Sequence, residues 1–182
     1  MKITGIAHAP QRLMERTNLP SGDMVFLAKR ALRLYKVTYL FTSLTPGWEQ
    51  ALVKAALELG IPYTVAIPYP DYDIAWDRPV RISASGLMAR AASIQQVSAC
   101  EGREALMETH CWRVDRSDLL LALWNYDFYG ETYDIMNYAM KCNRQVVNLW
   151  QDWEHMAKMR RQVSRDDWDV HRRGAQVYES KQ

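Results

Sequence analysis

Long apolar runs and a strong net charge are both missing from this sequence of 182 residues. No stretch approaches the roughly 18 consecutive apolar residues that indicate a membrane-spanning helix, and the first residues lack the apolar core of a signal peptide. The 23 Lys and Arg residues nearly balance the 21 Asp and Glu residues, for a net charge of +2. Nucleic acid and membranes are therefore not expected as principal partners, and we expect a cytoplasmic protein.

Cysteine is scarce as well, with only Cys100, Cys111 and Cys142. An odd number of widely spaced cysteines favours free thiols in a reducing compartment over a disulfide framework. No C-x-x-C pair is present to hold zinc, and Asp71 and Asp73 lack the glycine and glutamate of a calcium loop. The sequence also has no Walker, G-x-S-x-G or H-E-x-x-H motif. We expect no metal and no cofactor.

Phenylalanine is the scarce aromatic residue: there are 3 Phe, against 7 Trp and 10 Tyr. Trp and Tyr carry a polar group that seeks a partner or water, so they are not needed where a core requires only bulk. The excess has two interpretations. The rings pack at the edge of the core, or they form a stacking site for a planar ligand.

Short apolar runs alternate with longer helical patterns, which predicts a parallel sheet with crossover helices. In the run Asp118–Trp124, every residue after the aspartate is apolar, so both faces of the predicted strand are apolar. This is typical of a central strand that is covered on both faces. We therefore predict a single α/β Rossmann-like domain over residues 1–150, with a mostly parallel sheet and helices on both faces. A C-terminal helix and a polar, basic tail follow over residues 151–182. The predicted strands are Ile3–Ala7, Thr38–Thr42, Tyr63–Pro68, Ile94–Ala99, Leu119–Trp124 and Val146–Trp150.

The helices between these strands have recognisable ends. Thr45 followed by Pro46 is typical of an N-cap and a first helical residue, and Gly60 of a C-terminal cap. Residues 69–79 lack periodicity and predict a long ordered loop. The predicted helices begin at Ser21, span Trp48–Leu59, Gly102–Arg116 and Thr132–Cys142, and begin again near Gln151, the last with Trp153, Met156, Ala157 and Val163 on one side.

In an open α/β sheet, the ligand crevice lies beyond the carboxyl ends of the strands. This rule selects the segments Gly5–Pro10, Ser43–Trp48, Pro68–Trp76, Trp124–Thr132 and Asn148–Asp152. Aromatic residues are concentrated in these segments, which favours the ligand interpretation. They are Trp48, Tyr69, Tyr72, Trp76, Trp124, Tyr126, Phe128 and Tyr129.

The run Thr4–Pro10, the turn Thr45–Gln50, the segment Glu58–Pro68, Trp76 and the run Trp112–Trp124 follow an order that resembles the SLOG superfamily. The similarity is greatest to its YspA-like or YoqJ-like branch of bacterial and phage proteins, and it covers roughly residues 1–150. The resemblance implies a Rossmann-like nucleotide site related to those of DprA proteins and Lonely Guy phosphoribohydrolases. Several relatives handle NAD-derived or ADP-ribose-like signals in bacterial immunity.

Both glycine motifs that the resemblance implies are altered here. The turn after the second strand has one glycine, Gly47, although the N–H groups of Gly47 and Trp48 and the Thr45 hydroxyl could still meet an anion. Glu131 replaces a glycine in the second motif, Gly130–Thr132. A carboxylate beside a phosphate is unfavourable unless a cation compensates.

The catalytic residues that the resemblance implies are matched only in part. The hydrolase relatives have an Arg where this sequence has Thr109, and Arg113 lies one helical turn further along. They have a catalytic Glu where this sequence has Asp134. The alternative function is therefore a nucleotide N-glycosidic hydrolase that uses Glu131 or Asp134.

The leading hypothesis is a protein that binds an adenine nucleotide or an ADP-ribose-like signal without turning it over. By sequestration or sensing, it would serve phage counter-defence in the host cytoplasm. We expect stacking by Trp48, Trp76 or Trp124, phosphate contacts from Thr45–Trp48, and polar contacts from the remaining site residues. We also expect a homo-oligomer with Gln151–Val163 as a contact. A third alternative is a DprA-like DNA-binding role for the basic segment from Lys158. The expected ligand-binding residues are Gly5, His8, Ser43, Thr45, Gly47, Trp48, Tyr69, Trp76, Trp124, Asn125, Gly130, Glu131 and Thr132.

Overall fold

A computed structural model of the chain describes residues 1–9, 13, 21–160 and 162. Six parallel strands form one sheet in the order β4-β3-β2-β1-β5-β6. The strands are β1 Lys2–Ala7, β2 Tyr39–Thr42, β3 Tyr63–Ile67, β4 Ser93–Gln96, β5 Leu119–Leu123 and β6 Gln145–Asn148. The helices that connect and follow them are α1 Ser21–Leu34, α2 Trp48–Glu58, α3 Arg78–Met88, α4 Arg103–Asp115, α5 Glu131–Lys141 and α6, residues 150–160. This architecture confirms the predicted α/β, Rossmann-like class.

The core lies on both faces of the sheet. On one face, Ile3, Leu40 and Leu121 pack with buried residues of α1, α2, α3 and α6. On the other, Ile6 and Leu120 pack with buried residues of α4 and α5. Every residue of β5 is buried, because helices cover the strand on both sides. This position explains why both faces of the strand are apolar in the sequence.

Helix α3, Arg78–Met88, was not predicted, because the sequence indicates a loop that continues through Pro79. The proline lies in the first turn of α3, where a residue without an N–H loses no helical hydrogen bond. Only Ala84 and Leu87 of this helix are buried. Val80, Ala84 and Leu87 nevertheless keep the spacing of one helical face, so a helical period is present after Pro79. The predicted ordered loop is confirmed for residues 69–77.

Helix α6 packs its apolar side inside the chain. Trp150, Trp153 and Ala157 are buried in the larger core cluster, and Asp152 forms an ion pair of 3.7 Å with Arg30 of α1. The stripe that we expected at a subunit contact is therefore used within the protomer. Val163 and the basic tail lie outside the described residues. No helix in the described part of the chain is both long and apolar enough to cross a membrane.

The strand order reverses between β1 and β5. The chain builds β1 to β4 in one direction and then places β5 and β6 on the other side of β1. Ala7 pairs with Leu123, so β1 and β5 end at the same level. The loops that follow these two strands therefore begin side by side. In open α/β sheets, such a switch point is where ligands bind.

Candidate functional site

Two adjoining cavities lie at the carboxyl ends of the strands. The switch-point cavity, of about 300 Å³, is bounded by the end of β1, the start of α2 and residues 129–132. The aromatic cavity, of about 190 Å³, is bounded by the end of β2, by Pro68 and Tyr69, and by the rings of Tyr72 and Trp76. Thr45, His110 and Glu131 line both cavities, so these three residues form the boundary between them.

Tyr72 and Trp76 form a fixed aromatic pair in the aromatic cavity. Their ring centroids are 5.3 Å apart and their planes meet at 80°. The Tyr72 hydroxyl donates a hydrogen bond of 2.6 Å to the Ser43 carbonyl. Burial, reinforced by the nearby Glu49 carboxylate, raises the pKa of Tyr72, so the hydroxyl keeps its proton and remains a donor. The pair thus presents rings whose orientation is set before any ligand arrives.

Ser43 lines the same cavity. Its side chain is buried, and its Oγ has no hydrogen-bond partner among the described residues. A buried hydroxyl without a partner loses the hydrogen bonds that it would make in water. A polar group of a ligand in the aromatic cavity could restore one of them.

A buried ion pair lies behind the cavities. Arg113 of α4 is 1% exposed and Glu49 of α2 is 3% exposed, and Nη1 of the arginine lies 2.8 Å from Oε1 of the glutamate. The other oxygen of Glu49 accepts hydrogen bonds from the Thr42 hydroxyl at 3.0 Å and the Ser43 N–H at 2.7 Å. Each charge is therefore compensated, and the pair joins α2, α4 and the end of β2.

The ion pair continues to the cavity surface through His110. Arg113 donates a hydrogen bond to Nδ1 of His110, and Nε2 of His110 is hydrogen-bonded to Oε1 of Glu131. A guanidinium group can only donate, so Nδ1 accepts and the ring proton lies on Nε2, facing Glu131. We call the sequence Glu49, Arg113, His110 and Glu131 the polar chain. The hydrogen bond from His110, assisted by the charges of Arg113 and Arg103, lowers the pKa of Glu131 although partial burial acts to raise it.

The charged groups that line the cavities are acidic. Glu49 and Glu131 contribute carboxylates, His8 and His110 contribute imidazoles, and no Lys or Arg of the described residues lines either cavity. Arg113 is paired with Glu49 and contacts Glu131 through His110, and the charges of Arg113 and Arg103 also act on Glu131. The Glu131 carboxylate therefore suits uncharged donor groups and disfavours a phosphate placed beside it.

Most of the predicted binding residues lie at these cavities. His8, Thr45, Trp48, Gly130, Glu131 and Thr132 line the switch-point cavity. Ser43, Thr45, Tyr69, Trp76 and Glu131 line the aromatic cavity. Gly5, Gly47, Trp124 and Asn125 line neither, and the hydrolase candidate Asp134 is exposed outside both.

Trp48 and Gly5 are packing residues. Trp48 is 1% exposed and its Nε1 donates a hydrogen bond of 3.0 Å to the Leu121 carbonyl, so no ring face is open to a base. A Cβ at Gly5 would lie 2.3 Å from Cδ1 of Leu52. The glycine therefore lets α2 approach β1 closely. These contacts account for both residues without a ligand.

Trp124 and Asn125 shape the loop that follows β5. Nε1 of Trp124 donates a hydrogen bond of 2.7 Å to the Asp127 carbonyl, and the ring packs against Tyr133 with centroids 5.9 Å apart. The Asn125 amide donates a hydrogen bond of 2.9 Å to the Asp127 carboxylate. This loop carries residues 129–132 to the switch-point cavity. Of the three tryptophans predicted to stack, only Trp76 lines the cavity with a partly exposed ring.

The sequence interpretation placed Tyr72 among the aromatic residues of the crevice without naming it as a binding residue, and it left the place of Arg113 open. It did not place Glu49 or His110 in the site. One signal was available, because residues three apart on a helix share a face and this spacing relates His110 to Arg113. The pairing with Glu49 arises only from the tertiary contact of two helices far apart in the chain. No local pattern predicts it.

Comparison with protein families finds no family model that matches this chain, and comparison with curated proteins finds no match either. The resemblance to the SLOG superfamily stays a prediction from the sequence. The sheet topology and the two cavities are the basis on which a function can be argued.

Proposed function

We propose that the protein binds the nucleoside end of an adenine nucleotide or ADP-ribose-like molecule and does not turn it over. The base occupies the aromatic cavity, and the ribose lies at its boundary with the switch-point cavity. The observation that carries this proposal is the junction of the two cavities at Thr45, His110 and Glu131, at the switch point of the sheet. Concave sites with apolar walls and a few convergent polar groups are typical of small-molecule binding.

The aromatic cavity supports the placement of the base. Trp76 and Tyr72 provide ring surfaces, and a base stacked on an aromatic side chain gains about 1–3 kcal/mol of binding free energy. Ser43 Oγ lies in the same wall, buried and without a partner among the described residues. It would hydrogen-bond to a nitrogen or amino group at the edge of the base.

The phosphates extend out of the cavities in this proposal. This differs from the expectation that the turn Thr45–Trp48 holds them. Beside that turn, the Ser43 N–H already donates its hydrogen bond to the Glu49 carboxylate. No Lys or Arg of the described residues lines either cavity. Solvent outside the cavities is the more favourable environment for phosphate.

A nucleotide N-glycosidic hydrolase is the second candidate, favoured by a carboxylate, Glu131, that His110 holds in the cavity. The lowered pKa makes Glu131 a poor general acid and leaves it an ionised carboxylate, which could act only electrostatically. The other candidate carboxylate, Asp134, lies outside both cavities. Binding without turnover fits this arrangement better, and a role in sequestering or sensing an immune signal rests on the family resemblance.

Calorimetric titration with adenosine, AMP and ADP-ribose tests the proposal. Trp76→Ala should weaken binding of all three by about 1–3 kcal/mol, or roughly 5- to 150-fold. Trp112→Ala is the matched control, because Trp112 packs on Phe41 away from both cavities. Equal affinities of the wild type and Trp76→Ala would contradict the proposed base site. Chromatography of the same mixtures decides between the candidates, since release of free adenine would establish the hydrolase.

A further inference from the structure

We infer that Glu131 determines which ribose the site accepts: it binds a sugar with free 2′ and 3′ hydroxyls and excludes one with a 2′ or 3′ phosphate. The inference rests on the proposed function and adds a selectivity to it. It assigns the boundary between the cavities, where Glu131 lies, to the sugar.

The position of Glu131 leaves one oxygen available to a ligand. Its Oε1 is hydrogen-bonded to His110, whereas Oε2 has no hydrogen-bond partner among the described residues. The side chain is 52% exposed and lines both cavities. An ionised carboxylate accepts hydrogen bonds and cannot donate one, so its natural partners here are hydroxyl groups. A ribose diol offers two such donors on adjacent carbons.

The polar chain fixes this carboxylate in place. His110 is held by Arg113, which is in turn held by Glu49 and by the Gly5 carbonyl at 3.4 Å. To turn away from an incoming anion, Glu131 would have to give up its hydrogen bond to His110. The lowered pKa of Glu131 also means that protonation does not relieve the repulsion near neutral pH. Position and charge are therefore both maintained.

A phosphate on the 2′ or 3′ oxygen would weaken binding for two reasons. It replaces a hydroxyl donor by a group without protons to donate near neutral pH, and it brings negative charge to a carboxylate. Of the two arginines whose charges act on Glu131, Arg113 is already paired with Glu49, and neither Arg113 nor Arg103 lines a cavity where it could meet the phosphate. A 5′ phosphate is not affected in this way, because it extends out of the cavities.

The experiment compares AMP, 2′-deoxy-AMP, adenosine 2′,5′-bisphosphate and adenosine 3′,5′-bisphosphate by calorimetric titration of the full chain. The wild type should bind AMP at least about tenfold more tightly than the other three. Glu131→Gln keeps the size of the side chain and removes its charge, and it should reduce all these ratios to about threefold or less. Glu108→Gln is the matched control, because Glu108 is an exposed carboxylate on α4 that lines neither cavity.

The outcomes separate this inference from the proposed function. If AMP and the bisphosphates bind the wild type equally, the selectivity is refuted while nucleoside binding stands. If Glu131→Gln discriminates as strongly as the wild type, another group reads the sugar and the assignment to Glu131 is refuted. If neither AMP nor adenosine binds, the proposed function itself fails.

Discussion

Gly5 occupies the point in β1 where the backbone meets helix α2. A Cβ at this position would lie 2.3 Å from Cδ1 of Leu52 and 3.3 Å from Cδ1 of Trp48. Both neighbours are buried, so neither can move without disturbing the core. The sequence suggested a polar contact to a ligand for this glycine, whereas the structure explains it by packing.

Gly5→Ala should therefore lower the free energy of unfolding by about 1–3 kcal/mol, as overpacking of a core does. Gly86→Ala is the matched control, since Gly86 lies within α3 and a Cβ there meets nothing within 4 Å. That substitution should stabilise the helix by about 0.5–1 kcal/mol. Urea unfolding of the two variants measures the difference. A Gly5→Ala variant as stable as the wild type would show that the contact between β1 and α2 relaxes freely.

Helices α2 and α4 are joined across the end of the sheet by Glu49 and Arg113, which are both buried. This ion pair affects the site because Arg113 is hydrogen-bonded to His110, and His110 is hydrogen-bonded to Glu131 at the cavity surface. Removing one partner of a buried pair leaves the other charge uncompensated, which costs far more than the pair itself contributes.

Arg113→Met should reduce the free energy of unfolding by about 3–5 kcal/mol. The double variant with Glu49→Gln should recover part of that loss, because no bare charge then remains. Chemical denaturation of the two single variants and the double variant gives the coupling. A double variant less stable than Arg113→Met alone would contradict the role given to the ion pair.

Some elements are easier to predict from the sequence than others. The strand β5 was predicted because an apolar residue at every position is characteristic of a strand covered on both faces. Helix α3 was not, because Pro79 in its first turn continues the proline-containing pattern of the loop before it. The rule of strand ends selected segments that line the two cavities. It could not separate Trp48, whose ring is buried in the core, from Trp76, whose ring is partly exposed. That distinction depends on packing between distant segments.

The whole molecule brings its polar chain, its aromatic pair and its two cavities to one edge of a single parallel sheet. The Trp and Tyr residues have different roles in the structure. Trp48, Trp150 and Trp153 are buried in the core, Trp124 supports a loop, and Tyr72 and Trp76 form the cavity wall. The homo-oligomer stays a prediction. The apolar side of α6, which was expected at its contact, packs within the chain.

A crystal structure of the full chain with ADP-ribose would show where the base, the ribose and the diphosphate bind. We expect an intact ligand with its adenine against Trp76 and Tyr72 in the aromatic cavity. The adenosine ribose should lie within hydrogen-bond distance of Glu131, and the diphosphate should lie outside both cavities. Adenine bound elsewhere, or phosphate bound beside Glu131 in the interior, would contradict the account.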